Sequence, residues 1–216
     1  MNIASSMPCK LIDFCETCAG GLAIRTEPED CIEFVGRLLP ELISDKHLFR
    51  EIIEGMVRGD HYLDLQYATM FGNEVILYRN PDRLFSVRMF LRQPGEFDPI
   101  HDHNSWGVLS PAVGVLEVVS YQWEDDEGKE GFSQLAETGR EIIKPGEISY
   151  VCGPESIHKT GNPGQQMNIQ ISLYGPVQTR RNYINGFDEA SGRIYPIYAP
   201  KIWKQHLALQ VLATLD

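Results

Sequence analysis

Two regimes of hydrophobic patterning divide the chain. From about Glu27 to Arg58 apolar residues recur at three- and four-residue steps: Ile32, Phe34, Val35, Leu38, Leu39, Leu42 and Ile43, then Leu48, Ile52, Ile53, Met56 and Val57. That spacing gathers them on one side of a helix, so the stretch predicts helices with a buried face. Pro40 lacks an amide hydrogen and is expected to kink or separate them, Ser44-Asp45 to cap the second, and Gly59-Asp60 to end it. His47 and His61 stand alone in this region and read as ordinary surface or core side chains.

Past residue 60 the pattern turns to short runs rich in β-branched and aromatic residues: Glu74 to Arg79, Leu84 to Leu91, Val113 to Trp123, Glu147 to Val151 and Met167 to Tyr174. Turn chemistry lies between them in Asn80-Pro81-Asp82, Gln93-Pro94-Gly95 and Pro145-Gly146. The charged stretch 124 to 130 predicts a solvated hairpin tip. Many short strands at this spacing predict an all-β barrel or sandwich. The run from Tyr198 through Trp203 reads as a short terminal segment covering it. One strand alternates with unusual regularity: 169, 171 and 173 are apolar, whereas Gln170, Ser172 and Tyr174 are polar. One face must be core; the other meets solvent or a wet pocket.

Bulk properties narrow the partners. The chain's 216 residues, 43% of them apolar, suffice for one well-buried core, read as a single domain. A net charge of -11 lacks the basic face that nucleic acid or an anionic membrane would require. No run has the length of a membrane span, and Met1 to Ser6 lacks the features of a secretion signal, so the expected compartment is the cytoplasm. Five cysteines suit reduced thiols better than a disulfide framework. Cys15 and Cys18 have redox or zinc spacing, but no second pair follows, and free thiols are expected.

The chemistry concentrates between Gly95 and Gly114. His101 and His103, two residues apart on an extended segment, project to one side and can reach one point, which is half of a metal site. His158, in another turn-bounded strand-like segment, is the natural third ligand. Asp102 projects oppositely and reads as a surface group or a support for the ligands.

The spacing Gly95-x5-His101-x-His103-x3-Gly107-x6-Gly114 resembles the first cupin motif, with Gly107 where many cupins place a glutamate ligand. His158-x3-Asn162 resembles the end of the second. Closer still, Ile100 to Val108, Ser149-Tyr150-Val151, His158 and Ser172 to Pro176 look like the cysteine dioxygenase family, the Trp106-Gly107 pair being similar to its bacterial 3-mercaptopropionate branch. The resemblance implies a cupin double-stranded β-helix barrel, jelly-roll-like, with N-terminal helices packed on it. Residues 1–65 would be the helical segment, 66–180 the barrel core and 181–216 a covering segment. It also implies one Fe(2+) per chain on His101, His103 and His158, and a small thiol and dioxygen as reactants, giving a sulfinate. Tyr174 would assist at the substrate or oxygen position. The family commonly alternates serine, histidine and tyrosine where this chain has Gln170, Ser172 and Tyr174, so residues of substrate choice depart here. Gly107 also excludes the thioether crosslink to tyrosine made in animal-type enzymes.

A thiol carboxylate would need an arginine fork. Arg79 is the first expectation and Arg181 the next, with Arg88 and Arg180 as rivals; Trp106 would wall the pocket. The competing readings are another metal-dependent cupin enzyme, an isomerase or carbon-cleaving dioxygenase, and a non-catalytic cupin that binds a small molecule.

Overall fold

A computed structural model describes residues 7–59, 69–124 and 134–213. Three helices come first: α1 (Cys9–Leu22), α2 (Pro28–Ile43) and α3 (Lys46–Arg58). Pro40 does not separate helices; it sits inside α2, and the break comes at Ser44. Asp45 caps α3 by accepting from the amides of His47 at 2.9 Å and Leu48 at 3.1 Å. Gly59 closes α3 in the left-handed conformation, with φ 76°. His61 lies outside the described residues, as does nearly all of the expected hairpin tip at 124–130.

Eleven strands follow among the described residues: β1 (Glu74–Arg79), β2 (Ser86–Arg92), β3 (Ile100–His101), β4 (Trp106–Val113), β5 (Leu116–Trp123), β6 (Leu135–Ile143), β7 (Ser149–Cys152), β8 (Ile157–Gly161), β9 (Asn168–Tyr174), β10 (Tyr183–Phe187) and β11 (Ile194–Tyr198). The expected strand over Val113 to Trp123 is two. Val113 ends β4, and the chain reverses at Gly114, whose φ of 75° suits glycine. The last helix is α4 (Pro200–Leu212). No helix among the described residues is long and apolar enough to cross a membrane.

Strand order defines the architecture. One antiparallel sheet runs β1-β2-β9-β4-β7 and the other β11-β10-β3-β8-β5-β6. Within them, β2-β9-β4-β7 and β3-β8-β5-β6 are the two four-stranded halves of a jelly roll, in which successive strands from β2 to β9 alternate between the sheets except at the β5–β6 hairpin. Strand β1 extends one sheet, and β10 with β11 extends the other. The fold is therefore a cupin-type double-stranded β-helix with helices on it. The segment after residue 180 contributes strands to a sheet as well as the terminal helix.

The largest core lies outside the barrel, between the helices and the five-stranded sheet. Leu11, Phe14, Val35, Leu39, Phe49 and Ile52 of the helices pack with Val87, Met89, Val108, Ile171 and Leu173 of the sheet. This decides the alternation in β9. Because the helices cover the outer face, the apolar residues point outward and the polar row Asn168, Gln170, Ser172 and Tyr174 points into the barrel. A smaller cluster, Leu109, Leu116, Val118 and Ile143, forms a second core, in which Leu109 stands opposite Ser172 of the polar row.

Candidate metal centre

The histidines meet through the pairing of two strands and the loop that follows one of them. His101 ends β3 and stands directly opposite His158 of β8, so the two side chains leave the sheet on the same side. Strand β3 is only two residues long, and His103 reaches the same point from the loop beyond it. Asp102 makes that loop rigid. It is buried and accepts from the Asn185 amide at 2.7 Å, from Asn185 Nδ2 at 2.8 Å and from Arg181 Nη1 at 2.9 Å. It is thus a tether between the ligand loop and β10, with no surface role.

All three imidazoles are buried, and their ligand nitrogens lie within 4.8 Å of one another. His103 Nε2 and His158 Nε2 are 3.0 Å apart. Two nitrogens each ~2.1 Å from one ion and at right angles would be separated by about 3.0 Å, so this spacing fits a shared metal. His101 Nδ1 lies 2.8 Å from the Pro99 carbonyl, which can only accept. That fixes the proton on Nδ1 and leaves the Nε2 lone pair for an ion. Burial depresses the basicity of all three rings, and the neighbouring imidazoles reinforce this at His103 and His158. The rings are therefore neutral and able to coordinate. Among the described residues no carboxylate or thiol joins this group.

A cavity of about 300 Å³ opens on His101 and His103 and is lined further by Phe71, Glu74, Arg88, Phe90, Tyr174 and Ile184. The Tyr174 ring stacks on His103, with centroids 5.9 Å apart and planes at 21°. Gly107 makes room for it: a Cβ there would sit 2.5 Å from Tyr174 Cδ1 and 2.6 Å from Cε1. The tyrosine hydroxyl is pushed up to about 12 by burial, against the lowering effects of Arg88 and a hydrogen bond with Ser172. It stays protonated at neutral pH.

Of the expected arginines, neither Arg79 nor Arg181 lines the cavity; Arg88 does. Arg79 is exposed at the far end of β1, while Arg181 is committed to Asp102. Arg88, from the inward row of β2, lies 5.2 Å from the Tyr174 ring centroid and pairs with Glu74. Trp106 does not wall the cavity either. It is buried in the core beneath the helices, against Gly175, where a Cβ would come within 2.2 Å of the indole. Gln170 and Ser172 support the site from behind. Arg92 Nη1 donates to Gln170 Oε1 at 2.7 Å, and Gln170 Nε2 donates to Ser172 Oγ at 2.8 Å, beside the Tyr174 hydroxyl.

Sequence reasoning missed the anchor of this chain. Arg92 is fully buried, with its guanidinium on Asp98 and on Thr160 Oγ1 at 3.1 Å. The signal was present in the inward row Ser86, Arg88, Phe90 and Arg92, where a strand carried two cations on one face. Cys15 and Cys18, by contrast, are buried free thiols, as are the other cysteines free.

No protein-family model matches the chain. Solved structures to which it is similar include a cupin 2 conserved barrel domain protein from Salinispora arenicola, 20% identical over 52% of this chain and 84% of that one, with a TM-score of 0.38. A cupin 2 domain-containing protein from Halorhodospira halophila is 17% identical over 55% and 70%, with a TM-score of 0.39. A sugar phosphate isomerase from a cupin superfamily, from Silicibacter pomeroyi, is 14% identical over 59% and 78%, with a TM-score of 0.38. The strand order carries the fold assignment: this is a cupin barrel in which three buried histidines could hold one metal ion.

Proposed function

We propose that the chain is a non-haem iron thiol dioxygenase, converting a small thiol and dioxygen to a sulfinate, R–SH + O2 → R–SO2H. The observation that carries this reading is the donor set: three buried, neutral imidazoles that no carboxylate or thiol joins among the described residues, two of them, His101 and His103, opening on a small cavity lined by an arginine and a protonated tyrosine. Imidazole suits iron, and a donor set lacking an anion leaves a divalent ion its full charge. When bound, one Fe(2+) per chain would favour the substrate sulfur as thiolate and supply the redox chemistry for adding both oxygen atoms to it.

The chain's own residues do the rest. His101, His103 and His158 would hold the ion, with His101 oriented by Pro99 and the loop to His103 pinned through Asp102. Tyr174 presents a protonated hydroxyl and can donate a hydrogen bond in the cavity. Phe71, Phe90 and Ile184 line that cavity with apolar surface and limit the water that reaches it. Arg88 supplies the fork for a carboxylate. The reading places the protein in the cytoplasm, where unpaired thiols stay reduced.

The test is product mass spectrometry on iron-reconstituted protein given a thiol panel and oxygen. A sulfinate 32 mass units (about two oxygen atoms) above its thiol is expected, together with loss of iron from His101→Ala. Full iron loading with oxygen consumption but no sulfinate would return the chain to the wider class of metal-dependent cupins.

A further inference from the structure

Helix α4 is apolar on nearly every side and buries none of its residues. Trp203 is 44% exposed and Leu209 66%, and Leu207 and Leu212 are open to solvent as well. Its ring contacts with its own chain run to the end of β11, where the Tyr198 ring centroid lies 5.7 Å from that of Trp203 and 5.2 Å from that of His206. A 13-residue helix is marginal in water by itself, and one that is apolar all round belongs in a protein interior or an interface. A membrane surface selects helices whose charged and apolar faces are separate, whereas Lys204 shares its side of α4 with Leu207 and Ala208. The helix carries Lys201 and Lys204 and no acidic residue, and neither lysine has an ion-pair partner among the described residues.

A complementary surface lies on the N-terminal helices. Between α1 and α2 a groove of about 520 Å³ has Phe14, Leu38 and Leu42 as its apolar lining and Asp13, Thr17 and Glu41 as its polar one. Lys10 at its edge is engaged by Asp45 at 3.2 Å, whereas the carboxylates of Asp13 and Glu41 have no partner among the described residues. Together α1 and α2 carry six acidic residues and two basic ones. The groove follows α1 from Cys9 to Thr17, about 12 Å at the helical rise of about 1.5 Å per residue, or two turns. On α4, Trp203 and Leu207 stand one turn apart with Lys204 beside them. We propose that α4 of one copy of this chain docks in the α1–α2 groove of another, with Trp203 and Leu207 on the apolar lining and Lys204 against Asp13 and Glu41. Both halves of the contact are on this chain, and each supplies what the other lacks. Pairing α4 with α4 would instead bring lysines together with no acid between them. A chain of net charge -11 associates more readily where a basic helix meets an acidic face. Donor and acceptor are different surfaces, so the contact is heterologous and closes as an exchange of helices between two copies or as a ring.

The test is sedimentation velocity of the full chain over a range of concentrations, at low and high salt. Wild type is expected to form a discrete oligomer that weakens as salt rises. Lys204→Glu on the helix and Glu41→Lys in the groove should each raise the dissociation constant by about tenfold or more. The chain carrying both restores opposite charges across the contact and should recover most of the association, at a melting temperature like that of wild type. Cys9, exposed at the groove, gives a second readout: Leu207→Cys should form an interchain disulfide with it on mild oxidation, and adding Cys9→Ser should abolish that cross-link. A wild type that stays monomeric at about 100 μM overturns the docking, and so does a monomer whose α4 carries it onto vesicles of anionic lipid. Association unmoved by Glu41→Lys, or a cross-link that survives Cys9→Ser, would mean that α4 meets something other than the groove and would overturn it equally. The wild-type measurement and the cross-link decide even if a charge variant fails to fold.

Discussion

Replacing Arg92 by methionine tests the anchor beneath the site. Arg92 has no exposed surface and Asp98 has 8%, so the pair sits in the barrel interior. The guanidinium contacts Asp98 through two nitrogens and also serves Thr160 Oγ1 and Gln170 Oε1. Methionine fills much of the same volume but donates nothing. Asp98 would retain one side-chain donor, the Thr160 hydroxyl at 3.0 Å, and Gln170 would lose the partner that aims its amide at Ser172. Leaving a buried carboxylate uncompensated costs about 3–5 kcal/mol. With a urea slope of about 2 kcal/mol/M, the unfolding midpoint should fall by roughly 2 M. The double variant Arg92→Met with Asp98→Val removes both charges and should recover at least about 2 kcal/mol of the loss, because the penalty comes mainly from the orphaned charge. Urea unfolding of the wild type, both single variants and the double variant measures this coupling. A single-variant cost under about 1 kcal/mol, or strictly additive effects, would refute the account.

Three further outcomes follow from the same geometry. In chelator-treated protein the histidine rings stay neutral in the fold but take a proton near pH 6.5 when unfolded, so stability is present above that pH and is lost as pH falls below it. The loss is up to about 1.4 kcal/mol per pH unit for each of His101, His103 and His158, and urea midpoints that match at pH 7.5 and 5.5 would contradict it. Gly107→Ala drives a methyl into the Tyr174 ring and should cost about 1–3 kcal/mol while weakening the tyrosine's stack on His103; a melting temperature equal to wild type would show that the ring has room to move. Iodoacetamide should label exposed Cys9 in native protein but leave Cys15 and Cys18 untouched until urea is added, since burial pushes the Cys18 thiol up to about 12 and Cys15 in the same direction; peptide mapping that finds all three labelled at one rate would count against a buried α1.

The parts of the site that were legible in the sequence are those set by local periodicity. His101, the His158 turn and the run Glu74 to Arg79 need only strand alternation and turn residues to be seen; His103 converges with them from the loop beyond β3, where alternation no longer applies. Helix α1 escaped because its buried stripe, Leu11, Phe14, Cys15, Cys18 and Leu22, is helical only when cysteines are counted as apolar groups. Read as a possible redox or zinc pair, Cys15 and Cys18 concealed the helix they help to bury.

The choice of arginine was illegible for a different reason. Alternation says that Arg79 and Arg88 each lie on one face of a strand; it cannot say which face is the interior. That is decided by the helices, which claim the outward side of the five-stranded sheet and so turn its polar residues inward. Once that inversion is known, one rule places Arg88, Arg92, Gln170, Ser172, Tyr174 and Glu74 inside the barrel together. It also explains why this chain keeps so much charge there. With the apolar core outside the barrel, the interior is free to hold Arg92 with Asp98 as its anchor and Arg88 with Glu74 as its open end. The first pair is satisfied on all sides, whereas the second leaves one oxygen unmatched. The fold thus completes one buried ion pair and leaves its neighbour, in the wall of the cavity beside His101 and His103, incomplete.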